Sequence, residues 1–385
     1  AALDFSLATE DRTQAKAALL PALDYFSQSI YTQGNGTESG IFVANDGVHI
    51  YTSLAQVHQQ LFSPERLAQY RRTTAAQALA AAKRDIVERG LTLTVIQNYY
   101  AVLGGTRRVL NAQRTVDEAR QFVEITQRLE RGGEVAHADV LKGQLVLEQS
   151  QRELQEARLA VEKARIELAV IIFPDFRRDF DLVDDLAVTT PLPAYPAVEA
   201  SAEGKSPELR AAEENLRQEE YGVAIARSGY LPSLSLDYFF GINANQFAVH
   251  DPEGRNRLGS SVQATLNIPV WDWWTTRSKV RQADIRRQQA ELDLALARKQ
   301  FASRLRTLHL EAEAAQAELD SLRRSADAAA ESLRLTGLRY QAGEVSVLEV
   351  VDAQSTLAQA RNTFDDGLVR YHVAMASIQA LTGGL

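Results

Sequence analysis

The chain has 385 residues, 45% of them hydrophobic and 24% charged, enough for two ordinary domains or for one unit used twice. A net charge of −8 with no basic block argues against a nucleic-acid partner. The absence of cysteine excludes disulfides, thiolate nucleophiles and cysteine zinc sites together.

The opening "AALDFSLATEDR" is neither a signal peptide nor a lipidation box, so the expectation is that a leader is lacking or trimmed. A partial helix of about twenty residues precedes a strand start at Leu20, "LPALDYFSQSIYTQ". A Gly/Asn-rich loop, "GNGTESG", leads into "VHIYTSLAQVHQQLF" from Val48, giving a β-hairpin over about 20–62. Beyond Pro64 no proline occurs before Arg131. Leu79, Ala82, Ile86, Leu93, Ile96, Tyr100, Leu103 and Leu110 follow a helical period there. One helix of about 68 residues and about 100 Å is predicted, with a kink or break expected at Gly104–Gly105. A return helix over about 138–173 carries Val140, Leu147, Leu154, Val161 and Leu168 at steps of seven.

Residues 174–206 are rich in proline and acid and read as a connector with a short element. A helix from Pro207 then leads to "LPSLSLDYFFG" and "GSSVQATLNIPVW", a second hairpin over about 231–272. A long helix follows over about 275–341. Its seam of Phe301, Leu305, Leu308, Ala312, Ala315 and Leu319 is narrow and alanine-rich, so neighbouring backbones can approach closely. The last helix covers about 348–382.

The segment "GGEVAHADVLKGQLVLEQ" from Gly132 returns about 210 residues later as "AGEVSVLEVVDAQSTLAQ" from Ala342. Val350, Leu357, Phe364, Tyr371 and Ile378 repeat the seven-residue step at the same displacement. The chain therefore divides into a first repeat (1–173), a connector (174–206) and a second repeat (207–385), each repeat reading hairpin, long helix, turn, return helix.

The longest apolar run, Leu168 to Phe173, is far too short for a spanning helix. The strands instead alternate: Val262, Ala264, Leu266, Ile268 and Val270 on one face, with Gln263, Thr265 and Asn267 among the polar alternates. Such a wall suits lipid on one side and water on the other. Four strands cannot close a barrel, and open edges are intolerable in lipid. Three chains would supply about twelve strands. A soluble protein with its strands packed on helices fits the alternation equally well. Trp271, Trp273 and Trp274, clustered where strand gives way to helix, have the composition of an aromatic girdle at a membrane interface.

Long helices with a doubled Gly-Glu-Val tip, set around four strands introduced by Leu-Pro, resemble the TolC-type outer-membrane efflux proteins over nearly the whole chain. "RLERGGEVAHADVLKGQ" and "LRYQAGEVSVLEVVDAQ" resemble the family's two periplasmic tips. "NIPVWDWWTTRSKV" and "QQLFSPERL" resemble its strand-to-helix junctions, although the glycines usual in the first of these turns are missing. The resemblance implies a mainly α fold with a transmembrane β-barrel portion, four strands per chain, closed as a homotrimer in the outer membrane of a Gram-negative bacterium. A helical tube would extend into the periplasm. The partners implied are outer-membrane lipid, a periplasmic adaptor protein and an inner-membrane pump. The function implied is passive efflux of small molecules; a duct for type I protein secretion would share the architecture. A soluble coiled-coil scaffold is the alternative from another class.

Candidate residues follow. Gln56, Gln263, Thr265 and Asn267, with His58 and Gln60, are expected to face the bore by strand parity. Glu134, Asp139, Glu344, Glu349 and Asp352 gather acid at the tips, where carboxylate rings would attract cations and repel one another on closure. For Asp139 and Glu349 a helix-dipole role is as good a reading. The resemblance puts Tyr340, Asp139 and Asp352 at gate positions, while Val345 stands where the family has an Arg. Gly133 and Gly343 are expected to supply a positive-φ turn. Val135 and Val345 either point outward toward an adaptor or cap the hairpin's own core. The six histidines form no metal-binding pair, and no P-loop or nucleophile motif occurs; no cofactor and no enzymatic activity are expected.

Overall fold

The computed structural model describes residues 1–31, 49–202, 204–244, 246–251 and 253–383. The glycine-rich stretch 34–40 lies outside them. In chain order the elements are α1 (Ala2–Ala17), β1 (Ala22–Tyr31), β2 (His49–Phe62), α2 (Pro64–Arg131), α3 (His137–Ile172), α4 (Tyr195–Ala202), α5 (Pro207–Ser228), β3 (Ser233–Ala244), β4 (Leu258–Asn267), α6 (Thr275–Gln341) and α7 (Val347–Thr382). Two compact units result. One joins Ala1–Asp85 to Pro207–Arg298, the other Ile86–Ser206 to Lys299–Leu385, so each draws on both repeats.

The first unit is organised by its sheet, in the order β1-β2-β3-β4 with every pair antiparallel. The β2–β3 ladder joins the two hairpins. Among the described residues, β1 and β4 have no partner on their outer sides. The long helix leaving β2 starts where sequence chemistry says it must. Ser63 accepts the Arg66 N–H at 3.2 Å through its hydroxyl, and Pro64 occupies the first helical position, where no N–H is needed. Arg128 and Arg131 in the last turn complement the helix dipole.

In the second unit α2 runs unbroken through Gly104–Gly105, so the break expected there is absent. The glycines serve close packing instead. A Cβ on Gly104 would meet a Val369 methyl at 3.0 Å, and one on Gly105 a Val161 methyl at 3.0 Å. The missing side chains let α7 and α3 approach α2. The alanine seam of α6 behaves likewise: Leu305 and Ala312 are buried with Ala374, Ile378 and Leu381 of α7 and Val198 and Ala202 of α4, and Ala315 is buried with Tyr371 and Met375 of α7.

The connector is tied to α2 and α7 by polar anchors. Tyr99 donates to the Val183 carbonyl and Tyr371 to that of Thr190. His372 donates through Nε2 to the Leu186 carbonyl at 3.1 Å, and the Tyr100 ring stacks on His372 at 4.8 Å. The Tyr100 hydroxyl donates to Asp185 Oδ2 at 3.3 Å; burial, reinforced by the Asp185 charge, pushes its pKa up to about 12. Among the described residues no helix is long and apolar enough to cross a membrane.

Candidate functional site

Three places hold the candidate residues: the two helical tips, one face of the sheet, and the turn between β4 and α6.

Each tip ends its long helix in the same hydrogen-bonded turn. At the first, Gly133 has φ +78°, its N–H donates to the Glu130 carbonyl at 2.9 Å, and the Glu134 N–H reaches back to Leu129 at 3.0 Å. At the second, Gly343 has φ +74°, with Gly343 to Tyr340 at 3.0 Å and Glu344 to Arg339 at 2.9 Å. Both are Schellman turns, in which a left-handed residue closes the last carbonyls, so glycine is required.

The side chains differ where the backbones agree. In the first tip His137 Nδ1 lies 2.7 Å from Glu130 Oε1, an exposed polar pair. The two equivalent positions of the second tip hold Tyr340 and Val347, both buried with Phe122 and Val350. The Tyr340 ring lies 5.2 Å from Phe122, and its hydroxyl is buried with no hydrogen-bond partner among the described residues. Burial pushes that hydroxyl's pKa up, and the Asp139 charge adds to the effect. Thr126 is near enough to offset part of this, but its own hydroxyl is committed to the Phe122 carbonyl at 2.8 Å.

The tip acids separate into kinds. Glu349 completes a capping box: its Oε1 accepts the Ser346 N–H at 3.2 Å, and the Ser346 hydroxyl caps in return. Its helix-terminus role is therefore visible. Asp139 is half-buried in the first turn of α3, which has no side-chain cap. Glu344 pairs with Arg339 at 3.3 Å, so a cation stands at the second tip although Val345 occupies the family's Arg position. Asp352 and Glu134 are exposed, with no ion pair among the described residues. Val135 and Val345 do not point freely outward. Both are half-buried against the Phe122–Tyr340 cluster, capping the tip's own core.

In the sheet, Gln56 faces Phe239, Asp237 faces Gln263, Ser235 faces Thr265 and Ser233 faces Asn267. Gln56, His58, Gln60, Gln263, Thr265 and Asn267 thus share one face. The register irregularity lies between Gln60 and Phe62, beyond these residues. The other face carries Leu23 and Tyr25, Ala55 and Val57, Leu236, Tyr238 and Phe240, and Val262, Ala264 and Leu266. Sequence reasoning missed Asp237, which accepts from Gln56 at 3.0 Å and lies 2.7 Å from His58 Nδ1. Its parity with Ser235 and Ser233 was the available signal.

After β4, Trp273 and Trp274 have φ of +53° and +66°. For residues with a Cβ this left-handed geometry costs about 1–2 kcal/mol each, which is why glycine is usual in such turns. Asp272 steadies the turn by accepting the Thr276 N–H at 2.7 Å. Trp271 lies edge-on to Trp273 at 5.8 Å and to Trp274 at 5.4 Å, and the Arg277 guanidinium is 5.4 Å from the Trp274 ring centre. All three indoles are largely exposed.

The family model described as outer membrane efflux protein matches residues 1–172 and 200–384. The chain belongs to the outer membrane efflux protein family. It is 24% identical over 382 residues to the alkaline protease secretion protein AprF of Pseudomonas aeruginosa, covering 97% of this chain and 79% of AprF. It is 24% identical over 341 residues to the cobalt-zinc-cadmium resistance protein CzcC of Cupriavidus metallidurans, covering 86% and 77% of the two chains. The solved outer membrane protein VceC of Vibrio cholerae superposes with a TM-score of 0.85 at 15% identity, covering 99% of this chain and 91% of that one. Members of this outer membrane efflux family are channels rather than enzymes, and the fold is the TolC-like combination of helical and β barrels. This protein is an outer-membrane channel of a Gram-negative bacterium whose helices extend into the periplasm. The alternative of a soluble scaffold is set aside by that membership.

Proposed function

We propose that three copies of the chain close one barrel and form a passive conduit that exports small molecules, without bond-making chemistry. The observation that carries this is the sheet: one polar face, one apolar face, and two edge strands without partners among the described residues. In hydrocarbon each open edge must find another strand. Gln56, Gln263, Thr265 and Asn267 then line the water-filled bore, and Trp271, Trp273 and Trp274 lie at the membrane interface.

The two tips form the periplasmic gate. Asp139 and Asp352 supply charge that repels between copies when the tube narrows, with Glu134 and Glu344 nearby; Tyr340 anchors the second tip through packing, and Glu349 holds its helix start. The turns at Gly133 and Gly343, with the accessible edges of Val135 and Val345, meet a periplasmic adaptor, which links the tube to an inner-membrane pump. The match to AprF along nearly the whole chain favours a second reading, a duct for protein secretion.

The test is the purified protein in detergent and in planar bilayers. A band at three times the subunit mass that collapses on boiling is expected. The double variant Asp139→Ala, Asp352→Ala should raise single-channel conductance several-fold. A monomer would remove the barrel, and an unchanged conductance would remove these acids from the gate.

A further inference from the structure

The turn between β4 and α6 breaks a backbone rule without an internal reason. Trp273 and Trp274 hold a conformation natural to glycine, yet their rings are 82% and 59% exposed. Packing within the chain does not explain why large side chains occupy it. None of the three indole N–H groups has an acceptor among the described residues. Beside them is a hollow of 140 Å³ bounded by Tyr230, Val270, Trp271, Asp272, Trp274 and Arg277. Val270 continues the run of Leu266 and Ile268, all three exposed, away from the sheet's apolar face.

Two charged residues bound the hollow, the acid Asp272 and the base Arg277, and the charge beyond them along the start of α6 is positive. The first turn of α6 contains no acid, and the exposed Arg277, Lys279 and Arg281 form no ion pair among the described residues, although the Lys279 charge is felt by Asp272. Asp272 is committed to the Thr276 N–H, and Asp284 lies near Arg227 and Arg287. The first repeat's junction is built otherwise. There Ser63 and Pro64 make an unstrained start, Glu65 stands in the first turn, and Arg66 donates to the Ala18 carbonyl at 2.6 Å.

We propose that Trp271, Trp273, Trp274 and Arg277 form a seat for the phosphodiester of an anionic glycerophospholipid in the leaflet bordering this junction. The indole rings lie among the upper acyl carbons, their N–H groups and the guanidinium hold phosphate oxygens, and Lys279 and Arg281 select net negative headgroups. An apolar wall leading into aromatic rings and then into unpaired cations matches the order of acyl chain, glycerol and phosphate across an interface. The strained turn persists because the rings it displays are covered by lipid. This rests on the reading that places the three tryptophans at the membrane interface.

The chain has three tryptophans, all in this turn, so its indole fluorescence reports on the seat alone. The full protein is reconstituted in nanodiscs of phosphatidylcholine, with and without phosphatidylglycerol, and with brominated acyl chains as quencher. Quenching is expected in both lipids, together with a thermal midpoint raised by a few degrees when phosphatidylglycerol is present. Arg277→Gln should keep the quenching and lose the rise. The pair Trp273→Gly, Trp274→Gly suits the backbone, so it should fold, remain oligomeric and lose the rise. Absent quenching would overturn the interface reading and the seat with it. Quenching without any phosphatidylglycerol effect in the parent protein would overturn the seat alone. So would a rise retained by both variants, or one reproduced in detergent by inorganic phosphate, which would mark a free-anion site.

Discussion

The two return helices show what a repeat does and does not transmit. Both α3 and α7 have 36 residues, both follow a Schellman turn, and both carry apolar residues at steps of seven. Yet α7 buries fourteen residues and α3 six. The connector makes the difference. Its α4 packs Val198 and Ala202 into the α6–α7 seam, and its carbonyls receive Tyr371 and His372. Leu145, Leu159 and Val170 of α3 remain exposed, open to a neighbouring copy in the proposed trimer. Repetition copied the backbone and its caps; the environment came from one unrepeated segment.

The tips sharpen this contrast, because there the backbones match bond for bond while the pair Glu130–His137 is replaced by Tyr340–Val347. Tyr340→Ala should cost about 3–5 kcal/mol, as for other large buried aromatics, seen as lost hydrogen-exchange protection in the last turns of α6. Glu130→Ala at the equivalent place should cost under about 1 kcal/mol, since its partner is an exposed histidine. Tyr340→Phe should be neutral or slightly stabilising, because the hydroxyl it removes is buried without a partner among the described residues. Comparable losses for Tyr340→Ala and Glu130→Ala would break the comparison.

The glycines test the other half of it. A Cβ at Gly133 or Gly343 would meet nothing within 4 Å, so substitution is opposed by backbone geometry alone. Gly133→Val and Gly343→Val should each cost about 1–2 kcal/mol, and the two costs should agree within about 0.5 kcal/mol. Unequal values from protection at the two tips would mean that the surroundings reach the turn backbone after all.

Much of this was legible in the sequence because local chemistry decided it. Ser63 and Pro64 fix the start of α2, Gly133 and Gly343 fix the turns, and period-two alternation sorts the sheet faces. What stayed hidden depended on distant neighbours. Gly104–Gly105 reads as a weak point until Val369 and Val161 are seen against it. Val135 and Val345 read equally as outward-facing or as caps on the hairpin's core until Phe122 and Tyr340 are seen against them. Trp273 and Trp274 have the composition of an interface girdle, but their positive φ could not be inferred from residues that so rarely adopt it. Asp237 shares the parity of Ser233 and Ser235, but its pairing with Gln56 and His58 depends on a strand about 180 residues away.

A last contrast concerns Asp365, whose counterpart in the first repeat is the exposed Gln155. Asp365 is buried in α7 and accepts the Asn111 amide at 2.7 Å. Burial raises its pKa above the ordinary carboxylate value and Asp366 adds to the rise, while the Asn111 bond, Arg107 and Arg114 oppose it. The folded state therefore holds the proton more tightly than the unfolded chain. The cost of burying the charge is absent below the ordinary carboxylate range, grows as pH rises through the raised folded value, and is complete above it. Asp365→Asn preserves an acceptor for Asn111 and stays neutral. Its thermal midpoint should coincide with the parent's in acid and exceed it at pH 7. The same change cannot be written at Gln155, which is already neutral and solvated, so Gln155→Asp should leave the pH profile flat. If Asp365→Asn shows the parent's pH dependence unaltered, the buried carboxylate is ionised without penalty, and the nearby arginines, rather than burial, govern the interior of α7.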